Sequence, residues 1–368
     1  MDRLYIKKEM ERCAASFEKV LYEEDSTFMD GMKSKCLAGD DISKYQFWEW
    51  TQGVGLFGFW KLYKNTNKEK YLSILTSYYD RQLKTGLPAK NVNTTAPLLA
   101  LSFLAEHLEN QSYRKVCEEW AEWIYKEFPR TREGGFQHIT SDTLNDQELW
   151  DDTLFMTVLF LANMGKILHA ECYVEEAKYQ FLLHIKYLAD KVTGLWYHGW
   201  TFQGNHNFAN AFWGRGNCWV TASIPELLDI ISCEESVSRF LTEAWKKQID
   251  TLISLQEEDG MWHTLIDDKT SYVEASATCG FSYGILKGIN MGLLNKSYLK
   301  YALKALPTII SHIDQEGILH QVSYGTPMGR EDKQFYKDIV LKPMPYGQAL
   351  AMLYFQEVLV TEKHTVYF

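Results

Sequence analysis

Two adjacent acids, Asp151 and Asp152, lie between Trp150 and an apolar run in the stretch Gln147-Glu148-Leu149-Trp150-Asp151-Asp152-Thr153-Leu154-Phe155-Met156. A carboxyl at the mouth of an apolar helix has two uses. As a cap it accepts free backbone N–H groups of the first turn and suits the helix dipole. As a general acid/base it must be shielded from water, so that its pKa climbs toward neutrality. Desolvation is worth up to about 3–5 pKa units, whereas dipole terms stay within about 1 kcal/mol, under one unit. An Asp152 enclosed by Trp150, Phe155 and Trp213, with Asp151 beside it, is therefore expected to titrate high. Neighbours on a helix point about 100° apart. Asp152 shares its stripe with Phe155, Met156 and Leu159, Asp151 with Leu154 and Val158, and periodicity does not choose between them.

Other segments carry side chains suited to a sugar or an anion. Trp48 and Trp50 precede one apolar helix, and Lys90, Asn91 and Asn93 another. His138 lies in the loop before Asp152, and His198-Gly199-Trp200 precedes Trp213-Gly214-Arg215-Gly216-Asn217-Cys218-Trp219. Trp262 and His263, Tyr272-Val273-Glu274, Arg330 and Tyr346 follow. The tryptophans offer stacking faces or seal the top of the core, two uses of the same apolar ring. Glycines on both sides of Arg215 strip bulk from around a guanidinium, which suits a planar carboxylate or a structural ion pair. The histidines serve a pocket or a structural hydrogen bond. HExxH-type metal spacing, a phosphate loop, a dinucleotide fingerprint and a Gly-x-Ser-x-Gly elbow are all missing, so neither a metal nor a cofactor is expected.

Composition narrows the class. Of 368 residues, 46% are hydrophobic and 14% aromatic, enough for a large core, with 12 Trp and 22 Tyr in surplus of what packing alone needs. A net charge of −10 argues against nucleic acid or an anionic membrane as partner. Seven scattered cysteines (13, 36, 117, 172, 218, 233, 279), without CxxC pairs, read as reduced and mostly buried thiols. With no apolar run suited to a signal peptide or a membrane span, the expected location is cytoplasmic.

The elements that must hold these side chains are helices. Helical periodicity predicts about twelve, over 2–23, 45–63, 67–84, 93–108, 111–127, 150–166, 171–191, 213–232, 235–257, 272–291, 296–313 and 345–361, and no convincing alternating strand. A short motif recurs: Thr85-Gly86-Leu87, Gly134-Gly135-Phe136, Thr193-Gly194-Leu195, Asp259-Gly260-Met261 and Glu316-Gly317-Ile318, with Asp30-Gly31-Met32 as a degenerate first copy. Placed where glycine ends a helix in the left-handed conformation and spaced about 50 to 60 residues apart, the copies mark a helical array. Six hairpins that close on themselves make an all-α (α/α)6 barrel in a single domain, 1–368; an open solenoid would need polar capping repeats that neither end supplies. All long connections precede even-numbered helices, so they share one face, and free helix N-termini there favour an anion.

Trp150-Asp151-Asp152-Thr153-Leu154-Phe155-Met156, His198-Gly199-Trp200, Trp213 to Trp219 and the run from Gly260-Met261-Trp262 to Ala277 resemble motifs of the unsaturated rhamnogalacturonyl hydrolases, glycoside hydrolase family 105, related to the unsaturated glucuronyl hydrolases of family 88. The resemblance covers about residues 45 to 350. It implies an (α/α)6 barrel without metal or cofactor, acting on an oligosaccharide whose non-reducing end is a 4,5-unsaturated uronic acid left by a polysaccharide lyase. Asp152 matches the acid/base. His198, Arg215 and Trp213 match positions that hold the uronate, Trp50 a stacking position and His138 a pocket histidine; Trp150, Asp151, Trp219 and Trp262 complete the expected binding set. One position departs: the family's second Asp before the fourth helix is absent from Lys90-Asn91-Val92-Asn93-Thr94-Thr95.

An unsaturated uronate is an enol ether, so one acid suffices in principle to protonate C4 and, as carboxylate, to activate water for C5. Three rivals stand beside this reading. One is a hydrolase of saturated glycosides pairing Asp152 with Glu148, Asp267 or Glu274. The others are a non-catalytic sugar-binding barrel and an epimerase on the same toroid.

Overall fold

The computed structural model describes residues 2–23 and 42–365; the expected first glycine motif, Asp30-Gly31-Met32, and Cys36 lie outside them. Among the described residues, twelve main helical elements follow in order, with shorter turns between them. The first five are α1 (Arg3–Val20), α2 (Trp50–Thr66), α3 (Glu69–Thr85), α4 (Pro97–Leu108) and α5 (Gln111–Lys126). Next, α6 begins as a π-helical turn (Leu154–Val158) and continues as Leu159–Leu168. After it come α7 (Glu171–Leu188), α8 (Gly214–Ile230), α9 (Glu235–Ser254) and α10 (Ala275–Asn290). Finally, α11 is a broken element, Lys296–Tyr298, Leu299–Lys304 and Leu306–Ser311, and α12 runs Pro345–Thr365.

Burial separates the two rings. α8 buries every residue except Leu228 and Asp229, which only an element surrounded by protein can do. Its outer partner α9 buries Leu241, Thr242, Trp245, Gln248, Ile249 and Leu252, a stripe at helical spacing. Each even helix packs on the next, from α2 through α10, and α12 packs on both α10 and α2. The inner ring is therefore closed and the fold is an (α/α)6 barrel, not a solenoid.

Connections differ by face as expected. Those after α2, α4 and α6 turn within two residues, using left-handed caps at Asn67, Glu109 and His169. The long ones lie at the other face, before even helices. Several expected boundaries shift there. The second helix begins at Trp50, not 45, after a short turn at Ile42–Tyr45. Pro97 splits the fourth into Val92–Thr95 and α4, since proline suits a first helical turn but not an interior. Pro307 interrupts α11 in the same way. Two short strands went unforeseen: β1 (Glu148–Trp150) pairs antiparallel with β2 (Gly199–Thr201).

The recurring glycines have positive φ at Gly86, Gly134, Gly194, Gly260 and Gly317, but only Gly86 caps a helix directly. The others sit in tight turns beyond the outer helices; Gly260 N donates to Glu257 O and Gly317 N to Asp314 O. The motif therefore marks a turn that wedges between neighbouring hairpins. A Cβ on Gly317, at φ 85°, would collide with the backbone carbonyl of Arg12 in α1, and Arg12 in turn donates to Asp314 O. This contact closes the outer ring between the last hairpin and the first. Gly317→Ala is expected to destabilise the fold by about 2–4 kcal/mol, strain and overpacking together. Chemical denaturation checks it, and a loss below roughly 1 kcal/mol would contradict a tight closure here.

Candidate active site

A cavity of about 350 Å³ opens at the face of the long connections. Trp50 and Thr51 enter it from the start of α2, Asn93 from the turn before α4, and His138, Asn145, Trp150 and Asp152 from the segment before α6. Trp213, Arg215 and Trp219 come from the start of α8, and Tyr324–Pro327, Met344 and Tyr346 from the segment leading into α12. The connection before α10 contributes none of the lining.

Asp152 owes its position to a change of backbone. β1 carries the chain to Trp150, Asp151 N donates to His198 O, and the chain turns before the π-helical segment begins at Leu154. π-turns cluster at functional sites because the extra residue re-aims side chains. Asp151 and Asp152 therefore precede the helix, and a helical wheel does not apply to them. Asp152 faces the cavity, while Asp151 is fully buried behind it, against Gly216, where a Cβ would collide with its carboxyl.

The two carboxyls differ in charge state. Burial pushes Asp152 up to about 7, against the pull of the backbone N–H groups of Asp152 and Thr153 and the positive charge of Arg215. Asp151 is pushed well above the ordinary aspartate value by burial first and Asp152 second, and neither of its oxygens has a hydrogen-bond partner. As the more deeply buried of the pair, Asp151 holds its proton while Asp152 ionises. It therefore does not raise Asp152 by charge, as the sequence suggested.

His138 is stacked on Trp150 (centroids 4.2 Å apart, 7° between planes). Its Nδ1 meets Thr153 Oγ1 at 2.7 Å and lies 3.4 Å from Asp152 Oδ1. Burial drops its pKa to about 3, so it is a neutral ring that orients Asp152 rather than an ion-pair partner. Trp150 is fixed by Nε1 donating to Glu148 Oε2 at 2.9 Å, and Glu148 is held by Arg330 at 2.7 Å.

Arg215 is 1% exposed, its guanidinium between the rings of Trp213 (4.7 Å) and Tyr346 (4.6 Å). Tyr346 stacks in turn on Trp50 at 4.8 Å. One terminal nitrogen donates to Ser323 O at 3.2 Å and to Ser323 Oγ, the other to Tyr324 O at 3.2 Å and Thr326 Oγ1 at 2.9 Å. Glu274 lies 3.8 Å away. The four terminal N–H groups are thus committed to the 323–326 loop, and of the two uses the sequence left open for Arg215 the structural one is visible here, in the loop it holds and in Glu274 beside it.

Three expected binding residues do not line the cavity. Asp151 is one. His198 packs behind it against Trp213 and Trp150, with Nδ1 2.7 Å from Tyr336 Oη, and burial lowers its pKa far enough to leave it neutral. Trp262 is a core residue: Nε1 donates to Leu252 O at 2.7 Å and its ring meets Phe281 edge-on. Trp50, His138, Trp150, Trp213, Arg215 and Trp219 are brought together with Asp152 as expected. The lining residues Thr51, Tyr324 and Thr326 carry no motif that singles them out.

The carboxylates proposed by the rival hydrolase reading have other attachments. Glu274 caps α10 through Ala277 N and Ser276, Glu148 holds Arg330 and Trp150, and Asp267 pairs with Lys333 at 3.0 Å. Asp142 does line the cavity, accepting from Thr140 at 2.7 Å. A second large cavity, about 480 Å³ at the other end of the inner ring, is lined by Lys61, Lys287, Glu226 and Asp229, which pair with one another. Among the described residues, no three His, Cys, Asp or Glu side chains are grouped to hold a metal.

Known proteins share the family and the fold. Residues 24–361 match the profile of Glycosyl Hydrolase Family 88. The chain is 31% identical over 319 residues to the unsaturated rhamnogalacturonyl hydrolase YesR of Bacillus subtilis, covering 86% of this chain and 91% of that one. Two crystal structures described as possible members of family GH105 superpose closely. The one from Salmonella enterica has a TM-score of 0.91 at 44% identity, covering 98% of this chain and 95% of that chain. The one from Klebsiella pneumoniae has 0.90 at 40%, covering 98% and 94%.

A buried carboxyl that folding forces to stay protonated makes stability fall as pH rises above its unfolded pKa, because the unfolded chain can then release the proton. Asp151→Asn removes that penalty. The Tm of the variant minus that of the parent should therefore grow steadily from pH 4 to pH 8. A difference that stays flat over this window would mean that Asp151 is ionised in the fold.

Proposed function

We propose, from the premise that this chain belongs to Glycosyl Hydrolase Family 88, that it releases a 4,5-unsaturated uronic acid from the non-reducing end of lyase-generated oligosaccharides by hydrating the C4=C5 enol ether. The observation that carries this reading is Asp152 itself: an enclosed carboxyl facing an aromatic-walled cavity and titrating near 7, so that both of its protonation states are within reach at neutral pH.

In the first step the Asp152 carboxyl delivers its proton to C4, and positive charge develops at C5 and the ring oxygen. The resulting carboxylate takes a proton from water as the water oxygen bonds to C5. The hemiketal so formed opens, the C1–O bond to the neighbouring sugar breaks, and that sugar leaves with a proton. One water is consumed and Asp152 is returned to its acid form. His138, held by Thr153 and Trp150, keeps the carboxyl aimed. Arg215 attracts the uronate carboxylate by charge and favours the Asp152 anion after proton transfer. Trp50 and Trp213 supply apolar faces for the ring, a role aromatic side chains suit. The commitments of Glu148, Glu274 and Asp267 favour this single-acid route over displacement by a carboxyl pair. Six free cysteines among the described residues are compatible with a reducing compartment, and we place the enzyme in the cytoplasm as part of the proposal.

Asp152→Asn preserves size but neither gives nor takes the proton. The rate should fall by about 10²–10⁴-fold, followed as loss of absorbance from the conjugated double bond, with binding retained. In deuterated water the product should carry one deuterium at C4; an unlabelled product would point to displacement at the anomeric carbon. Because the acid form starts the reaction, kcat/KM should decline as pH rises through about 7. Arg215→Ala removes the charge that attracts the uronate and the anchor of the 323–326 loop, and kcat/KM should fall by at least about tenfold. An unchanged value in a folded variant would remove it from substrate recognition.

A further inference from the structure

We propose that Arg330 is a positioning residue for Asp152, bridging Glu148 and Asn145 so that the ring and the backbone of His138 are both held where they aim the acid. The proposal rests on the hydrolase reading above.

Arg330 lies in the long connection before α12, its side chain half-exposed and outside the cavity lining. Its Nη1 donates to Glu148 Oε1 at 2.7 Å, and its Nη2 donates to Glu148 Oε2 at 3.3 Å and to Asn145 Oδ1 at 3.2 Å. Both acceptors lead to His138. The Glu148 side chain takes the Trp150 indole N–H at 2.9 Å, and the Trp150 ring is stacked on the imidazole. Asn145 Nδ2 donates to His138 O at 2.8 Å, and His138 N donates to Glu148 O at 3.0 Å. The Asn145 amide is thereby fixed in orientation, its oxygen facing a guanidinium and its NH2 a carbonyl. His138 Nδ1 ends this chain 2.7 Å from Thr153 Oγ1 and 3.4 Å from Asp152 Oδ1.

The ordinary use of a half-exposed arginine is a surface ion pair, which contributes little to stability. This one differs in what it holds. Glu148 is buried and meets the guanidinium with both oxygens, a fork geometry that fixes direction as well as distance. The turn between His138 and Trp150 also needs holding. Asn145 and Gln147 have φ of 44° and 60°, in the left-handed region that residues other than glycine adopt at a cost. Arg330 braces that turn from a segment 182 residues beyond Glu148. Without it, the Trp150 ring and the His138 backbone would each lose an anchor, and the imidazole would gain freedom to swing against Asp152. A lysine offers a single point charge and no planar fork, so it does not span Glu148 and Asn145 in the same geometry. Because Arg330 acts through His138 on the acid, its loss should slow the chemistry rather than weaken binding.

The test measures kcat and KM on a lyase-generated unsaturated oligosaccharide for Arg330→Met, Arg330→Lys, His138→Ala and the Arg330→Met/His138→Ala double variant. Methionine keeps an apolar contact with Phe208, whose ring lies 5.2 Å from the guanidinium. Arg330→Met should lower kcat about tenfold with KM within about twofold, leave Tm nearly unchanged, and add almost nothing in the His138→Ala background. Arg330→Lys should fall as far as Arg330→Met. Full rescue by lysine, an additive cycle, a loss confined to KM, or a lowered Tm with kcat unchanged each overturns the proposal. If Arg330→Met does not fold, Arg330→Lys carries the cycle with the same outcomes. A parent enzyme inactive on every unsaturated uronide overturns the hydrolase reading and this proposal with it; an active parent with any of the contrary outcomes overturns this proposal alone.

Discussion

The site is arranged around one buried cation. Arg215 brings a full positive charge into the top of the barrel, between the rings of Trp213 and Tyr346. A charge so placed must be satisfied nearly completely, or the fold would suffer by several kcal/mol. It is satisfied by Ser323, Tyr324 and Thr326, with Glu274 behind. Glu274 also caps α10 and accepts from Ser323 N at 2.9 Å. The last long connection is thereby drawn over the cavity and tied to two inner helices at once. Tyr336 to His198 and Arg330 to Glu148 tie it down further along. The wall of the cavity is thus a consequence of neutralising one guanidinium.

That commitment also sets the acid. Arg215 pulls the Asp152 pKa down while burial pushes it up, and the balance lies near 7. Asp151, more deeply enclosed and without a partner, stays neutral. Two neighbouring residues of the same type are divided into an acid that exchanges protons and one that does not, and the division follows from which of them faces the cavity. A neutral His138 completes the arrangement, since a charged ring there would hold Asp152 as its anion and remove the proton that the first step needs.

Much of this was legible in the sequence because helical arrays repeat. Twelve periodic segments, the recurring glycines and the one-sided long connections each point to a closed toroid, and each follows from residue type and spacing. What escaped has physical reasons. Strands of three residues are too short for alternation to register. The π-turn at Leu154–Val158 arises from an i→i+5 bond that leaves no trace in side-chain pattern. The place of His198 behind the cavity depends on Tyr336, more than a hundred residues away, whose hydroxyl meets its Nδ1. Trp262 follows a glycine motif just as Trp196 does, and both are core residues; the pattern reports a turn that buries the next aromatic, not a binding site.

The absence of an acid between Lys90 and Thr95 fits the same economy of charge. A carboxylate at Asn93 would face a cavity that already holds Asp152 and Asp142. With the four terminal Arg215 N–H groups committed to the loop and Glu274 at its side, the nearby positive charge would be outnumbered, and Asp152 would be pushed further toward its acid form. That would shift the balance between the two half-reactions, the second of which uses Asp152 as a carboxylate to take a proton from water. An amide at position 93 keeps the polar contacts without the charge. The enol ether makes this sufficient: protonation at C4 generates the electrophile at C5, so no second carboxylate is required to attack or to stabilise the anomeric carbon.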